Sequence, residues 1–545
     1  MSRRTAAIAA WALASAFAVA RPAGAADDPL DVLWTHRLDF AAGGAPLVTV
    51  RLMEGQQEIA FRPDAPARLR LRGGAILALR AGQRVRIRAR DALPAALAWQ
   101  PLLAEAAYAD RAQLDPVRRL WEERGAEVRQ RWTGGIYGIA GRVVDNRRLV
   151  LVAAGDGSER FAQEFAGDAL RRHGARTGTF TELLRRPSAR LEVLDDRGHL
   201  LGVADALATL DVDGGARFTV ARVEHDVGYA AHGFADRAYR GRLHVTVDAT
   251  GRLAAVLAVA LEELLRGLVP SEIPAGAPRE ALRAQAVTAR SNVLAQIGTR
   301  HLTDPYVLCS EVHCQAYRGE AALAVATDAA VRATAGEALF GLADRVLVDA
   351  VYSAVCGGHG EDDDAVWPTL GNPSLRGRPD LPDGEGVPWA RGLGDERRLR
   401  EFLAGAPRGW CGRASGVRAD RYRWERRLAA AGLDDLAASL GVGRVRALEV
   451  VARGVSGRAR SLVVTGDAGR GVVAGELRIR RLLGDLPSAM FVVDRAADGF
   501  VLHGGGWGHG VGMCQWGAIG RAEAGQGYRE ILRAYYAGAE IAKIY

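Results

Sequence analysis

The run Arg279-Glu280-Ala281-Leu282-Arg283-Ala284-Gln285-Ala286-Val287-Thr288-Ala289-Arg290 leaves its backbone little choice. It is rich in alanine, free of Gly and Pro, and places Leu282, Ala286, Ala289 and Val293 at helical spacing, which predicts a helix with one buried stripe. Arg283 and Arg290 fall seven residues apart on another face, roughly 10 Å along the axis. Two guanidinium groups so placed suit the carboxylates or hydroxyls of a long ligand, or else a solvated pairing with Glu280. Just ahead, Leu268-Val269-Pro270-Ser271-Glu272-Ile273-Pro274 carries two prolines, which predicts a loop with Glu272 on it. A carboxyl held among apolar neighbours resists ionisation, keeps its proton near neutrality and can act as a general acid. The plainer alternative is a surface glutamate at a helix entry.

A chain of 545 residues, 49% hydrophobic and 25% charged, is long enough for several packed domains and too apolar for disorder. Arg3 and Arg4, the apolar stretch from Ala6 to Ala20 and Ala23-Gly24-Ala25 together read as a secretory signal over residues 1–25, with a twin-arginine route as a variant. No later stretch suggests a transmembrane helix. These features place the protein in the periplasm, the cell envelope or outside the cell. The net charge of +8 suits a polyanion, and for an exported chain that is a wall or membrane surface rather than nucleic acid. Lys543 is the one lysine among 72 basic residues, which looks like compositional bias and lightens the weight of the charge.

Strand-like runs at 47–53 and 84–88, separated by Gly and Pro turns, predict a β-rich module over residues 26–100. Residues 101–190 mix a helix over 117–126, a strand over 149–152 and an amphipathic helix over 159–173, hence a small α+β module. Its part from Gly134 to Gly174 faintly resembles the SPOR peptidoglycan-binding domain, without a diagnostic residue. A linking β segment spans 191–238. From Tyr239 the main domain, 239–545, opens with a strand over 242–247 and a helical run over 257–265; further strands are expected at 346–351, 447–451 and 461–465, and a helix at 528–536. The fold class is α+β and multi-domain.

His301, Cys309, His313 and Cys314 supply two imidazoles and two thiols, the ligand types of a closed, structural zinc site. Adjacent His313 and Cys314 reach one ion only from a turn, since successive side chains of a strand diverge; a Cys309–Cys314 disulfide is the competing reading. Cys356 and Cys411 are candidates for a second bridge, which leaves Cys514 free. A Cys514 nucleophile with His509 as base is a further possibility. The glycines of 506–517 fit no nucleotide-binding pattern; they permit close backbone approach to a ligand beside Trp507 and Trp516, whose faces suit sugar rings. The acidic run Glu361 to Asp364 reads as a solvated loop.

Several of these segments, in this order, closely resemble the SpoIID/LytB family of bacterial cell-wall proteins. They are Leu261 to Gly267 leading into Pro270-Ser271-Glu272-Ile273-Pro274, the helix Ala281 to Arg290, Tyr352-Ser353 through Cys356-Gly357-Gly358-His359, Tyr422-Arg423-Trp424, Gly506 to Met513 and the terminal Tyr535-Tyr536-Ala537-Gly538. The likeness runs from about Tyr239 to Tyr545. It implies a lytic transglycosylase acting on peptidoglycan strands freed of peptide, cutting between N-acetylmuramic acid and N-acetylglucosamine and leaving a 1,6-anhydro end. The catalytic acid would be Glu272. Arg283, Arg290, Tyr352, Ser353, His359, His509 and Gln515 would line the glycan groove, and His301, Cys309, His313 and Cys314 would hold zinc. The LytB branch implies instead a wall-binding protein that stimulates a cell-wall amidase. Four residues depart from the family pattern: Cys514 stands where serine is usual, Ala354-Val355 replaces common serines, and Arg283 occupies a frequent lysine position.

Overall fold

The computed structural model describes residues 28–41, 43–227, 232–311, 313–405 and 407–545, so the expected signal segment lies outside the described residues. The chain is a mixed α+β protein built on several sheets. Its largest sheet runs, in spatial order, Asp39–Phe40, Pro46–Gln56, Leu253–Ala260, Arg242–Val247, Leu207–Val212, Ala67–Leu71 and Ile76–Leu79. All of these pair antiparallel, and Leu308–Cys309 adds to Pro46–Gln56 in parallel. A six-stranded sheet orders Leu200–Asp205, Ser188–Leu194, Val85–Leu93, Glu58–Pro63, Phe218–His225 and Gly233–Tyr239.

These two sheets correct the expected boundaries at residues 100 and 239. Strands from the first hundred residues hydrogen-bond to strands near 190, 210, 220 and 255, so residues 26–100 are no separate module. Local alternation identifies which face of a strand is buried but not which strand lies beside it. Residues 96–185 build a small α+β unit: a four-stranded sheet, a separate strand pair over Ile136–Ile139 and Arg142–Asp145, the helices Asp115–Glu123 and Glu159–His173, and a core around Leu103, Leu114, Trp121, Leu149 and Leu151. Another core, around Trp424, Leu436, Leu462, Phe491 and Leu502, joins two three-stranded sheets within residues 423–505.

The helix Arg279–Gln296 is the hub. It packs against the helices Leu261–Glu272, Val325–Ala333, Gln515–Glu523 and Tyr528–Tyr535 and the strand Glu337–Gly341. Every residue from Ala284 to Gln296 is buried, so the helix is enclosed on all sides and is not the one-striped helix expected. Three local expectations also change. Residues 253–260 are a strand, with the helix beginning only at Leu261, because a strand buried on both faces shows no alternation to distinguish it from a helix. Residues 346–351 form no strand; Leu347 alone bridges to Phe340. Finally, Glu272 is not in a loop: the helix Leu261–Glu272 runs through Pro270 and ends on the glutamate, with Ser271 Oγ donating to the Gly267 carbonyl at 2.7 Å. Pro270 forfeits its own bond to the Arg266 carbonyl, and the last turn is closed instead by Ser271 and by Ile273 N on the Val269 carbonyl at 3.1 Å.

Candidate functional site

Glu272 ends its helix against the turn that carries residues 314–317. The backbone N–H of Ala316 donates to Glu272 Oε1 at 2.5 Å, and the side chains of Gln515 and Tyr352 also face the carboxyl. Gln515 Nε2 donates to the Glu272 carbonyl at 2.9 Å. Burial pushes the carboxyl above the ordinary glutamate range, and the three hydrogen-bonding groups together with the charge of Arg318 draw it back only in part. The residue as a whole keeps partial access to solvent. A desolvated carboxyl that is fixed in place yet reachable can give and take a proton at one position.

A ladder of buried amides supports it from the central helix. Tyr352 donates its hydroxyl hydrogen to Gln315 Oε1 (3.0 Å), Gln315 Nε2 donates to Asn292 Oδ1 (2.8 Å), Gln296 Nε2 donates to the same oxygen (2.7 Å) and Asn292 Nδ2 donates to Asp349 (2.6 Å). Burial and the neighbouring Glu272 push the Tyr352 phenol well above its usual range, so it remains a hydrogen donor. Gln285, Gln315, Asn292 and Ala316 are site residues that no motif singles out. The signal for two of them is present in the chain: Gln285, Asn292 and Gln296 repeat at seven and four residues, one polar line along a helix that has no wet face.

The two helix arginines separate. Arg283 is about one quarter exposed and bonds Glu280 at 3.1 Å. Arg290 is wholly buried and clamps Glu262 through Nε and Nη2 at 2.7 and 2.8 Å, with Nη1 on the Glu337 carbonyl at 3.0 Å. Arg290 therefore ties two helices and a strand together and cannot meet a ligand, against its expected place in the groove. His359 is likewise enclosed: its side chain has no exposure, Nδ1 bonds the Gly360 carbonyl at 2.7 Å, and burial lowers it to about 4, so it is neutral and removed from any groove. His509 Nε2 donates to the Tyr352 carbonyl at 2.9 Å, while Nδ1 accepts from Val511 N at 3.1 Å. Both nitrogens are thus engaged, and burial lowers the ring to about 3. His509 positions Tyr352 and is not free to serve Cys514 as a base. Ser353 accepts from Gly510 N at 3.1 Å.

The glycines of 506–512 serve the protein's own packing. A Cβ at Gly512, where φ is +69°, would stand 2.0 Å from the Val351 carbonyl oxygen, and one at Gly510 would stand 2.5 Å from the Arg458 guanidinium carbon. Trp507 is exposed under Arg421, whereas Trp516 packs onto the core. The acidic run is also not solvated. Glu361 and Asp363 are buried, Glu361 accepting from Ser456 Oγ at 2.7 Å, Asp363 paired with Arg376, and Asp364 bonding Arg376 at 2.8 Å. A run of four acids looks wet in sequence because its cations, Arg376 and Arg458, lie outside the run, one 12 residues beyond Asp364 and the other much further along the chain. A cavity of about 290 Å³, lined by Arg147, Arg148, Arg300, Asp349 and Trp367, opens between the small α+β unit and the main body, and Glu272 does not line it.

His301, Cys309, His313 and Cys314 converge, with one ligand atom of each within 4.8 Å of all the others. His301 Nε2 lies 3.1 Å from Cys314 Sγ, and His313 Nδ1 lies 3.7 and 3.6 Å from Cys309 and Cys314. The adjacency of His313 and Cys314 is resolved by a turn, closed by Cys314 N on the Glu311 carbonyl at 3.0 Å. The two sulfurs stand 2.9 Å apart and are unbonded. Asp304 holds His301 Nδ1 at 2.9 Å, which leaves Nε2 to face the cluster. Two thiols, two imidazoles and this carboxylate brace form a donor set that can hold a metal ion.

A profile described as Stage II sporulation protein, SpoIID, matches residues 249–340, and one described as a domain of unknown function, DUF8618, matches residues 362–512. An uncharacterized protein of Brachyspira hyodysenteriae is 27% identical over 286 residues, covering 52% of this chain and 66% of its own length. The amidase enhancer of Bacillus subtilis is 28% identical over 294 residues, covering 51% of this chain and 40% of its own length. The chain thus spans just under two thirds and two fifths of these curated relatives. The first match takes in Glu272, the whole central helix and the four-ligand turn, so the part of the chain that builds the site is similar to the SpoIID family.

Proposed function

We propose that the protein is an exported peptidoglycan lytic transglycosylase that cleaves between N-acetylmuramic acid and N-acetylglucosamine in glycan strands and leaves 1,6-anhydro ends. The supporting observation is the Glu272 carboxyl, desolvated, held by the Ala316 N–H and faced by Tyr352 and Gln515. In its acid form Glu272 protonates the glycosidic oxygen as the bond to C1 breaks. The resulting carboxylate removes the proton from the muramic C6 hydroxyl as that oxygen attacks C1. One carboxyl serves both steps, so the second carboxylate of a hydrolytic glycosidase is not needed. Tyr352 and the Ala316 N–H keep the group in one place through the cycle, and exposed Trp507 and partly exposed Arg283 have the solvent access that contact with sugar requires.

His301, Cys309, His313 and Cys314 would hold zinc. A zinc ion with four protein ligands is a structural clip and activates no water. No helix among the described residues is long and apolar enough to cross a membrane. The likeness to an amidase enhancer favours a second reading, in which the protein grips glycan without cutting it and stimulates a wall amidase. Incubation with denuded glycan strands and mass spectrometry of the products separates the two. Anhydro-ended fragments from wild type but not from Glu272→Gln support the enzyme; binding with no fragments from either supports the activator.

A further inference from the structure

Cys356, Cys411, Cys514 and Asp380 form a second convergence of metal-ligand atoms, remote in sequence from the first. The four atoms lie within 4.8 Å of one another, and all four residues are buried. Cys356 follows the short strand Tyr352–Ser353, Cys411 sits in the helix Trp410–Arg413, and Cys514 ends the strand Met513–Cys514, which pairs in parallel with the first so that Ser353 faces Cys514. Cys356 Sγ is 3.6 Å from Cys411 Sγ and 3.2 Å from Asp380 Oδ2. A tetrahedral zinc with sulfur at about 2.3 Å has S···S edges of roughly 3.8 Å, whereas a disulfide needs about 2.05 Å. The observed spacing matches ligands around an ion and is far too long for a disulfide.

The surroundings suit thiolates. Cys514 Sγ accepts from the backbone N–H groups of Cys356 at 3.1 Å and of Gly517 at 3.2 Å. Asp380 is oriented by Arg521, whose Nη2 and Nε reach Oδ1 at 2.9 and 3.2 Å, and by the Tyr535 hydroxyl on Oδ2 at 3.0 Å. Three thiolates and a carboxylate around a divalent cation carry a net charge of −2, of which Arg521 offsets one unit; hydrogen bonds to ligand atoms of this kind are what fix a metal site's geometry. A cavity of about 20 Å³ touches Cys356 and Asp380 and leads toward Arg376 and Arg521.

We infer that Cys356, Cys411, Cys514 and Asp380 bind a second structural zinc ion. Cys356 and Cys514 stand on either side of the segment 362–512, and Cys411 lies inside it. The ion would clip this inserted domain to the strand pair that carries Tyr352. Binding releases the three thiol protons to solvent and involves no oxidation.

The test is metal content of the full-length chain purified without chelator, by elemental analysis and native mass spectrometry. Two zinc ions per chain are expected, with one lost in Cys411→Ser, the other lost in Cys314→Ser, and both lost in the double variant. Should Cys411→Ser not fold, zinc X-ray absorption on wild type decides, reading five sulfur ligands shared between two ions rather than two on one. A single zinc abolished by Cys314→Ser overturns the proposal, as does a Cys356–Cys411 disulfide in peptides mapped without reduction.

Discussion

Ala316 donates its backbone N–H to Glu272 Oε1 at 2.5 Å, and only Gln315 separates Ala316 from Cys314 of the proposed metal site. The acid is thereby held by the turn that closes the four-ligand cluster. Glu272→Gln keeps the shape and loses the transferable proton, so glycan cleavage should fall about 10²- to 10⁴-fold while glycan binding is retained. Ala316→Pro deletes a donor that favours the carboxylate and should move the alkaline limb of the pH–rate profile upward, because cleavage fails as pH rises through the pKa of the acid form. Rates on denuded glycan across pH, with metal content measured in parallel, check both expectations.

The same carboxyl carries a stability prediction of definite sign. Burial raises Glu272 in the folded state, so the folded chain binds a proton more tightly than the unfolded chain does. Its contribution is complete below the ordinary glutamate value and is lost as pH rises through the folded value. At neutral pH wild type bears the cost of a poorly solvated charge, which Glu272→Gln removes. The variant should therefore melt higher than wild type at pH 7, with the gap closing toward pH 4, as followed by circular dichroism.

Arg290 and Arg283 should behave oppositely despite sharing one helix. Arg290→Ala empties a wholly buried site and cuts the tie between Glu262 and the Glu337 carbonyl, although Glu262, about one quarter exposed, keeps the Tyr545 hydroxyl; it should lower the urea midpoint clearly. Arg283→Ala breaks a partly exposed pair with Glu280, worth at most about 1 kcal/mol. A clear loss of glycan affinity in Arg283→Ala at unchanged stability would mark it as a ligand contact; equal effects of the two substitutions on stability would contradict the geometry.

The separation of these arginines shows where the sequence was legible. Motif order pointed to Glu272, Tyr352, Gln515 and the four metal-type ligands, because each lies in a segment whose residue types are unusual together. It could not show that Ala316, Tyr352 and Gln515 meet at one carboxyl, since the chain distance from 272 to 515 carries no record of proximity. Nor could it show that Arg290 and His359 are buried: charge suggests water until the partner is seen, and Glu262 and Gly360 supply partners by tertiary placement. The strand pairings of residues 46–93 with strands beyond 187 were hidden for the same reason, as alternation records a face and not a neighbour.

His359 supplies the acid-side counterpart to Glu272. Burial lowers it to about 4 from an ordinary value of 6.5, so the folded chain holds it neutral. Stability from this group is full above pH 6.5 and is lost as pH falls toward 4, a total of roughly 3 kcal/mol with about 2 kcal/mol already gone at pH 5. His359→Leu should flatten the fall in urea midpoint between pH 7 and pH 5. Neither His359 nor His509, which burial lowers to about 3, should add a step to the pH–rate profile between pH 5 and 8.

Loss of the proposed metal should reach the acid through the turn. Cys314 and His313 are fixed at one end of a short segment whose other end presents the Ala316 N–H, and Gln315 between them joins Tyr352 to Asn292. Without an ion, two thiols and two imidazoles lose their common anchor, and the turn is left with the hydrogen bond from Cys314 N to the Glu311 carbonyl and its contacts to the ladder. His313→Ala should then lower the melting temperature and reduce cleavage through kcat more than through KM, because the groups proposed to touch glycan, Trp507 among them, sit on a different segment. Hydrogen exchange at Ala316 should rise in parallel. A variant that loses the metal yet keeps both kcat and slow exchange at Ala316 would separate the two sites and remove the coupling.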